Sequence, residues 1–305
     1  MRLVADIGGT NARVALSHAG LILAETIQHY ANDEWDSLYA VLKDFLKTSE
    51  VQPDEMVIAV AGPVSSGRAR LTNRDWDIEI SKLKSLFGCH NVRLLNDLTA
   101  LGHAAPILTT AQLRVVSAGA PKQVGFSQSL IVGIGTGFNV SPVLEKSGIV
   151  HCPAVEAGHI SMPMSVAIAI FNLGIKAEQF DTIEMLFSGR GFSRFCREIT
   201  NDPKLEGSVA IARYDKSDAQ EITKAIKAYS GLLGMVLRDL SMAYLPSSGI
   251  FLAGSIARAV LNVAPAPCIE ELRRPCPILA NFNPTCWTIE DDAAALTGCA
   301  EYAFE

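Results

Sequence analysis

The sequence contains no Gly-Lys dipeptide, which removes the Walker loop, and its Gly133-x-Gly135-x-Gly137 run departs from the Gly-x-Gly-x-x-Gly spacing of a dinucleotide turn. Any polyphosphate ligand must be held by other means. Cationic excess is also missing: 26 Lys and Arg stand against 32 Asp and Glu, a formal net charge of −6, which disfavours a basic stripe and a nucleic-acid partner. The seven cysteines (Cys89, Cys152, Cys196, Cys268, Cys276, Cys286, Cys299) are odd in number, dispersed and without a Cys-x-x-Cys, so neither a disulfide framework nor a zinc ribbon is indicated. Reduced, buried thiols are expected. No apolar run approaches the roughly 18 residues of a membrane helix, and Met1–Asp6 reaches an acid too soon for a signal peptide. The expectation is a soluble, cytoplasmic chain with no membrane partner.

What is present is apolar patterning. Hydrophobic residues make up 49% and charged residues 19% of 305, enough to build about two domains of globular core. Residues 2–6, 12–16 and 21–27 read as three strands separated by the turns Gly8-Gly9-Thr10-Asn11 and His18-Ala19-Gly20. A helix from Trp35 to about Lys47, capped by Asn32 or Asp33, follows, then strand 56–61 stopped at Gly62-Pro63. Strand 68–72, a helix near 79–87 and strand 92–95, ending at Asn96-Asp97, complete a mixed α/β first part. Beyond it come short helices over 164–200, a surface connection over 201–217, a long helix over about 218–245, strand 249–253 and a final helix over about 291–303. Setting Asp6–Thr10 over Gly133–Gly137 aligns strand, Gly/Thr turn, second strand and a Gly-containing turn (Gly20 over Gly148), which suggests a duplicated unit with a cleft between the halves.

Four places could carry chemistry. Asp6-Ile-Gly-Gly-Thr-Asn11 puts an acid at a strand end before a glycine turn, whose backbone N–H groups can cradle an anion while the acid holds Mg²⁺ directly or through water; a tight hairpin with glycine at positive φ is the structural reading. Asn96-Asp97 stands at a strand's carboxyl end, where ligands of open α/β sheets lie, and also where a helix N-cap belongs. Glu156-Ala-Gly-His159 and Glu184 offer two carboxylates and an imidazole suited to a polyhydroxylated ligand. Structurally, a lone histidine is more often a satisfied residue, and a lone helical glutamate a solvated one.

Together, Asp6–Arg13, Ala61-Gly-Pro-Val64, Leu71–Trp76, Leu95–Ala100, Gly133–Gly137, Glu156–His159, Glu184 and Leu252-Ala-Gly-Ser-Ile256 occur in an order that resembles the bacterial-type glucokinase family, within the hexokinase and actin-like ATPase superfamily. The resemblance spans nearly the whole chain. It implies an α/β, two-domain actin-like ATPase (ribonuclease H-like) fold with a duplicated core and an interdomain cleft: a small domain over 1–108 plus 291–305 and a large one over 109–290. It implies ATP-dependent phosphorylation of glucose at the 6-hydroxyl, with Asp97 as general base and Asn96, Asp97, Glu156, His159 and Glu184 binding the sugar. The implied nucleotide contacts are Asp6, Gly8, Gly9, Thr10 and Asn11, then Gly135, Thr136 and Gly137, then the adenosine turn Gly254-Ser255, with Mg²⁺ at Asp6. A homodimer is implied as well.

Three positions depart from the family pattern: Asn139, Ser255 and Ala157 each stand where a glycine is typical. A Cβ where positive φ or close backbone approach is needed is unfavourable, so nucleotide binding is expected to be more affected than sugar binding. His159-Ile-Ser-Met-Pro-Met lacks the Cys-rich motif of zinc-binding relatives, and no structural zinc is expected. The alternatives are a kinase of the same fold for another hexose or amino sugar, and a weakly active sugar sensor.

Overall fold

The computed structural model describes residues 1–71, 74–119, 127–279 and 282–304, so Thr72 and Asn73 of the Leu71–Trp76 block lie outside the described residues. The chain divides into two compact units: Met1–Leu108 with Gly148–Cys152 and Asp291–Glu305, and Thr109–Ser147 with Pro153–Glu290. The first runs β1 (Arg2–Ile7), β2 (Asn11–His18), β3 (Leu21–Ile22), β4 (Gln28–Ala31), α1 (Leu38–Ser49), β5 (Glu55–Val60), β6 (Val64–Ser65), β7 (Arg68–Arg70), β8 (Asp77–Glu79), α2 (Ile80–Phe87), β9 (Asn91–Asn96) and α3 (Asp97–Ala104). Then come β10 (Leu113–Ser117), β11 (Ser127–Ile134), β12 (Phe138–Lys146), β13 (Ile149–His151), α4 (Met164–Asn172), α5 (Ile183–Leu186), α6 (Gly189–Thr200), α7 (Gly207–Ala212) and α8 (Gln220–Tyr244). The chain ends with β14 (Gly249–Ala253), α9 (Ser255–Val263), α10 (Pro265–Leu272), β15 (Cys286–Ile289) and α11 (Ala294–Glu301), the last belonging to the first unit.

The repeat is topological as well as sequential. The first sheet has the order β3-β2-β1-β5-β9, with β1 antiparallel to β2 and parallel to β5. The second contains β12-β11-β14-β15, with β11 antiparallel to β12 and parallel to β14. The alignment that sets Asp6 over Gly133 also sets Ile7 over Ile134, the last residues of β1 and β11. Because β12 is one residue longer than β2, the matching turns fall one residue further on: Ala19 (φ 49°) and Gly20 (φ 82°) pair off with Ser147 (φ 54°) and Gly148 (φ 79°). Two successive left-handed residues give the type I′ geometry whose twist suits a hairpin.

Alternation sorts the first sheet between two cores. Leu3, Ala5 and Ile7 of β1, with Met56, Ile58 and Val60 of β5, pack with Leu38, Val41, Leu42 and Phe45 of α1. Val4, Val57 and Ala59 instead join Ala100 of α3 and Leu296, Cys299 and Ala300 of α11. Both faces are covered, which is why these strands read as unbroken apolar runs. By the same two-residue period Asp6 shares the face of Val4, beneath α3 and α11. That placement takes its carboxylate out of water.

In the second unit α8 is the central column. Tyr229 meets the rings of Phe187, Phe192 and Phe195 at 5.4, 4.8 and 5.7 Å, and its hydroxyl donates to the Leu186 carbonyl at 3.2 Å. Those contacts fix α5 and α6, and α5 carries Glu184. The N-caps Thr182, accepting from Met185 N–H, and Ser188, accepting from Gly191 N–H, start these helices.

Several expected elements differ. The third strand does not run through 21–27: the Thr26 hydroxyl accepts the Leu16 N–H at 2.9 Å and donates to the Leu23 carbonyl at 2.6 Å, so a side chain takes the place of a ladder bond and a 3₁₀ turn intervenes before β4. Helix α1 is capped by Ser37, which accepts from Ala40 N–H, and not by Asn32 or Asp33. Asn32 is buried elsewhere. The 201–217 connection holds α7, whose Ala210 joins Leu205 in the core. None of the seven cysteines, all among the described residues, is in a disulfide; five are buried, with Cys152 and Cys276 partly exposed. No helix among the described residues is long and apolar enough to cross a membrane.

Candidate active site

In the first unit the site is built at the ends of β1 and β9. Asn96 ends β9 and caps α3: its Oδ1 accepts the Leu98 N–H at 3.0 Å while its Nδ2 donates to the Gly62 carbonyl at 3.1 Å. The cap expected at this dipeptide is therefore Asn96, which leaves Asp97 as the first helical residue. Asp97 also accepts the Leu98 N–H, at 2.9 Å, and lies at the positive end of α3. Despite that, burial, assisted by the nearby negative charge of Asp6, pushes its carboxyl up to about 6.

Asp6 is likewise raised to about 6 by burial, against the pull of Arg13. Arg13 stands directly across the β1–β2 ladder from Asp6 and places Nη1 3.4 Å from Oδ2, while its Nη2 lies 3.8 Å from Asp292. Arg13 was readable from the hairpin register as the cross-strand partner of Asp6. Asp292, 279 residues beyond Arg13 in sequence, had no such signal.

The first glycine turn is tight at Gly8, where a Cβ would sit 3.3 Å from the Asn11 carbonyl oxygen. Neither Gly8 nor Gly9 takes a positive φ, contrary to the tight-hairpin reading. Asn32 holds this turn from below: its N–H donates to the Thr10 carbonyl at 2.8 Å and its Nδ2 to the Gly8 carbonyl at 2.9 Å, while its buried Oδ1 has no partner. Arg74 adds donations to the Gly9 carbonyl at 3.3 Å and the Asn32 carbonyl at 3.0 Å. From sequence Asn32 reads as a helix cap and Arg74 only as part of the Leu71–Trp76 block, because what they do here depends on neighbours distant in the chain.

In the second unit, Gly135 N–H donates to the Gly137 carbonyl at 3.0 Å, and the Gly135 carbonyl accepts Gly189 N–H at 2.8 Å. Glu184 accepts the Phe138 N–H at 3.0 Å, so it is not simply a solvated helical glutamate. Gly158 must lack a side chain, because a Cβ there would overlap the Phe138 carbonyl oxygen and sit 3.3 Å from Glu184 Cβ. Thr136, Glu156 and His159 are exposed. The turn, Glu184 and the 156–159 segment are thus assembled in this unit. Gly254 has φ +96° and caps α9; a Cβ would collide with the Ile134 carbonyl, and Ser255 follows as an exposed helical residue.

The three departures carry no backbone strain: Asn139, Ala157 and Ser255 all lack positive φ. The part of the expected penalty that rested on positive φ is corrected accordingly. Among the described residues no three His, Cys, Asp or Glu side chains form a metal cage. The oxygen donors at Asp6 and Asp97 fit Mg²⁺, which keeps several waters and takes one or two carboxylates besides phosphate oxygens.

Two α/β units of matching strand order, each opened by a Gly/Thr hairpin turn and one carrying a half-buried carboxylate at a strand end, define a two-domain enzyme of the actin-like ATPase fold. The crystal structure of a glucokinase from an Antarctic psychrotroph is similar at TM-score 0.82 and 25% identity, covering 98% of this chain and 97% of that one. The Glucokinase family profile matches residues 3–303. Glucokinases of Caulobacter sp. (strain K31) and Xylella fastidiosa (strain 9a5c) are 31% and 30% identical over 277 and 275 residues, 86% and 85% of this chain and 82% and 81% of theirs. The chain belongs to the glucokinase family.

Proposed function

We propose that the protein transfers the γ-phosphoryl group of ATP to the 6-hydroxyl of glucose, giving glucose 6-phosphate, with Asp97 as general base. The observation that carries this reading is a half-buried carboxylate at the end of β9 and the start of α3, raised to about 6 and so ionised yet basic at neutral pH. Asn96, Asp97, Glu156, His159 and Glu184 bind the sugar hydroxyls. The backbone of Gly8, Gly9, Thr10 and Asn11 and of Gly135, Thr136 and Gly137 holds phosphate oxygens, and Gly254-Ser255 flanks the adenosine. The two units act as the small and large domains. Asp6, steadied by Arg13, would hold Mg²⁺, directly or through water; when bound, the ion neutralises charge on the phosphates. Phosphoryl transfer passes through a loose transition state, so the chain's work is alignment and charge stabilisation, with Asp97 accepting the hydroxyl proton.

Because no cationic excess is available for a polyanion, phosphate binding rests on backbone N–H groups and Mg²⁺. A coupled ADP-release assay over a hexose panel should show Mg²⁺-dependent turnover fastest on glucose, and EDTA should abolish both turnover and tight ATP binding. Faster turnover on another hexose or amino sugar would reassign the substrate. No turnover on any sugar, with glucose still raising Tm, would replace the kinase by a sensor.

The reading includes a cytoplasmic homodimer. In its support, Met164, Ile168 and Phe171 of α4 are 75%, 53% and 71% exposed at helical spacing, one apolar row of the type that association covers. Sedimentation velocity should give twice the 32.7 kDa chain mass, and Phe171→Glu should give the monomer. A wild-type monomer would remove the dimer.

A further inference from the structure

Asn139 stands where the family pattern has glycine, and the side chain that results makes four hydrogen bonds. Its Oδ1 accepts the N–H of Val140 at 2.8 Å and of Ala157 at 2.9 Å. Its Nδ2 donates to the Val155 carbonyl at 2.8 Å and to Glu156 Oε2 at 3.1 Å. The orientation is fixed, because a flipped amide would turn its NH₂ on two backbone N–H donors. Asn139 is itself held in β12, opposite Gly133 of β11. One side chain therefore staples three consecutive residues, 155–157, to a strand of the sheet. It also occupies one carboxylate oxygen of Glu156, an otherwise exposed side chain on an irregular segment.

We infer that Asn139 is a positioning residue for sugar recognition: it orients Glu156 by holding Oε2 and leaves Oε1 to accept from a sugar hydroxyl. This rests on the reading of Glu156 as a sugar ligand. A free glutamate must lose rotamer freedom when the sugar binds, whereas a stapled one has lost it already, so the staple lowers the entropy cost of binding without touching the reacting atoms. The effect falls on sugar affinity and leaves the transfer step alone. It also gives this chain a way to tune hexose selectivity that a glycine at 139 lacks.

The test compares wild type with Asn139→Gly, Asn139→Asp, Glu156→Gln and the double variant Asn139→Gly/Glu156→Gln. Asn139→Gly should raise the glucose KM roughly ten- to a hundredfold, the loss of a hydrogen bond to a charged group, with kcat within about threefold. Asn139→Asp keeps the two acceptor bonds but faces Glu156 with a like charge, so its KM should exceed that of Asn139→Gly at pH 8 and fall towards it at pH 5. In the Glu156→Gln background, Asn139→Gly should add less to KM than it does alone. An unchanged KM, a fall confined to kcat, or fully additive KM effects would overturn the inference. Amide hydrogen exchange at Ala157 reads the staple without sugar: Asn139→Gly should speed it, and unchanged protection would refute the staple itself. Failure of wild type to phosphorylate glucose would instead remove the proposed function, and the exchange result would still stand on its own.

Discussion

Asp97→Asn is expected to lower kcat by about 10²–10⁴-fold while glucose binding persists, and to raise thermal stability at pH 8. The first effect follows from the role: an amide keeps the size and hydrogen bonds of the carboxylate and cannot accept the hydroxyl proton. The second follows from burial. The Asp97 carboxyl is raised from 3.8 to about 6, so the folded state holds the proton more tightly than the unfolded chain does. The stabilising contribution of that proton is complete below pH 3.8, declines as pH rises, and is gone above 6. At pH 8 the ionised carboxylate therefore destabilises the fold by up to about 3 kcal/mol, less what the partly open setting screens. Asparagine removes that term, so the variant's Tm should exceed wild type by several degrees at pH 8 and match it near pH 4. The same group should appear in wild type as a rise of kcat/KM with pH through about 6. Wild-type-like turnover in the variant would sink the base assignment, and equal Tm at pH 8 would sink the buried charge. A group that destabilises the fold while serving catalysis is the expected mark of an active site.

The parts of this site that depend on local order were legible in sequence. Gly20 and Gly148 punctuate two hairpins of one pattern, and the apolar runs of β1, β5 and β9 end at Ile7, Val60 and Asn96 as their composition implies. Asn96 and Asp97 could be placed at a strand end before a helix. What could not be read depends on pairs distant in sequence or on side chains competing with backbone. Thr26 breaks a strand that its β propensity favours, by bonding Leu16 and Leu23. Asn32 matches a helix cap in type but is drawn under the Gly8–Thr10 turn, leaving the cap to Ser37. Glu184 meets the Phe138 N–H across 46 residues, so nothing local distinguishes it from a solvated glutamate. Asn139 looked like a steric liability in a glycine position, but φ there is negative, and its amide becomes the strap of the 155–157 segment. A substitution read only against a family pattern misses the new bonds it brings.

Gly298→Ala should be the most damaging single methyl group in the first unit. Gly298 of α11 faces α3, and a Cβ built on it falls inside contact distance of the Ala100 carbonyl oxygen, 2.6 Å from its carbonyl carbon and 3.1 Å from the Ala104 N–H nitrogen. The obstructing atoms are backbone, so no side-chain rotation relieves them; α3 or α11 must shift. Overpacking costs about 1–3 kcal/mol where side chains can yield, and a rigid helix puts this case at or above the upper figure, a Tm loss of roughly 6–12 °C. The consequence reaches function, because Asp97 is the first residue of α3 and is raised in part by Asp6, while α11 packs on Ala100 of the same helix. Movement of α3 away from α11 should admit water beside Asp6, which neighbours both Asp97 and Cys299. Both carboxyls should then fall towards 3.8, and the acid limb of kcat/KM should move to lower pH as kcat drops. Differential scanning calorimetry and a pH–rate profile of the same preparation separate the two effects. An unchanged Tm would show that the α3–α11 contact yields freely, and a lowered Tm with an unmoved acid limb would show that Asp97 is tuned by β1 and β9 alone.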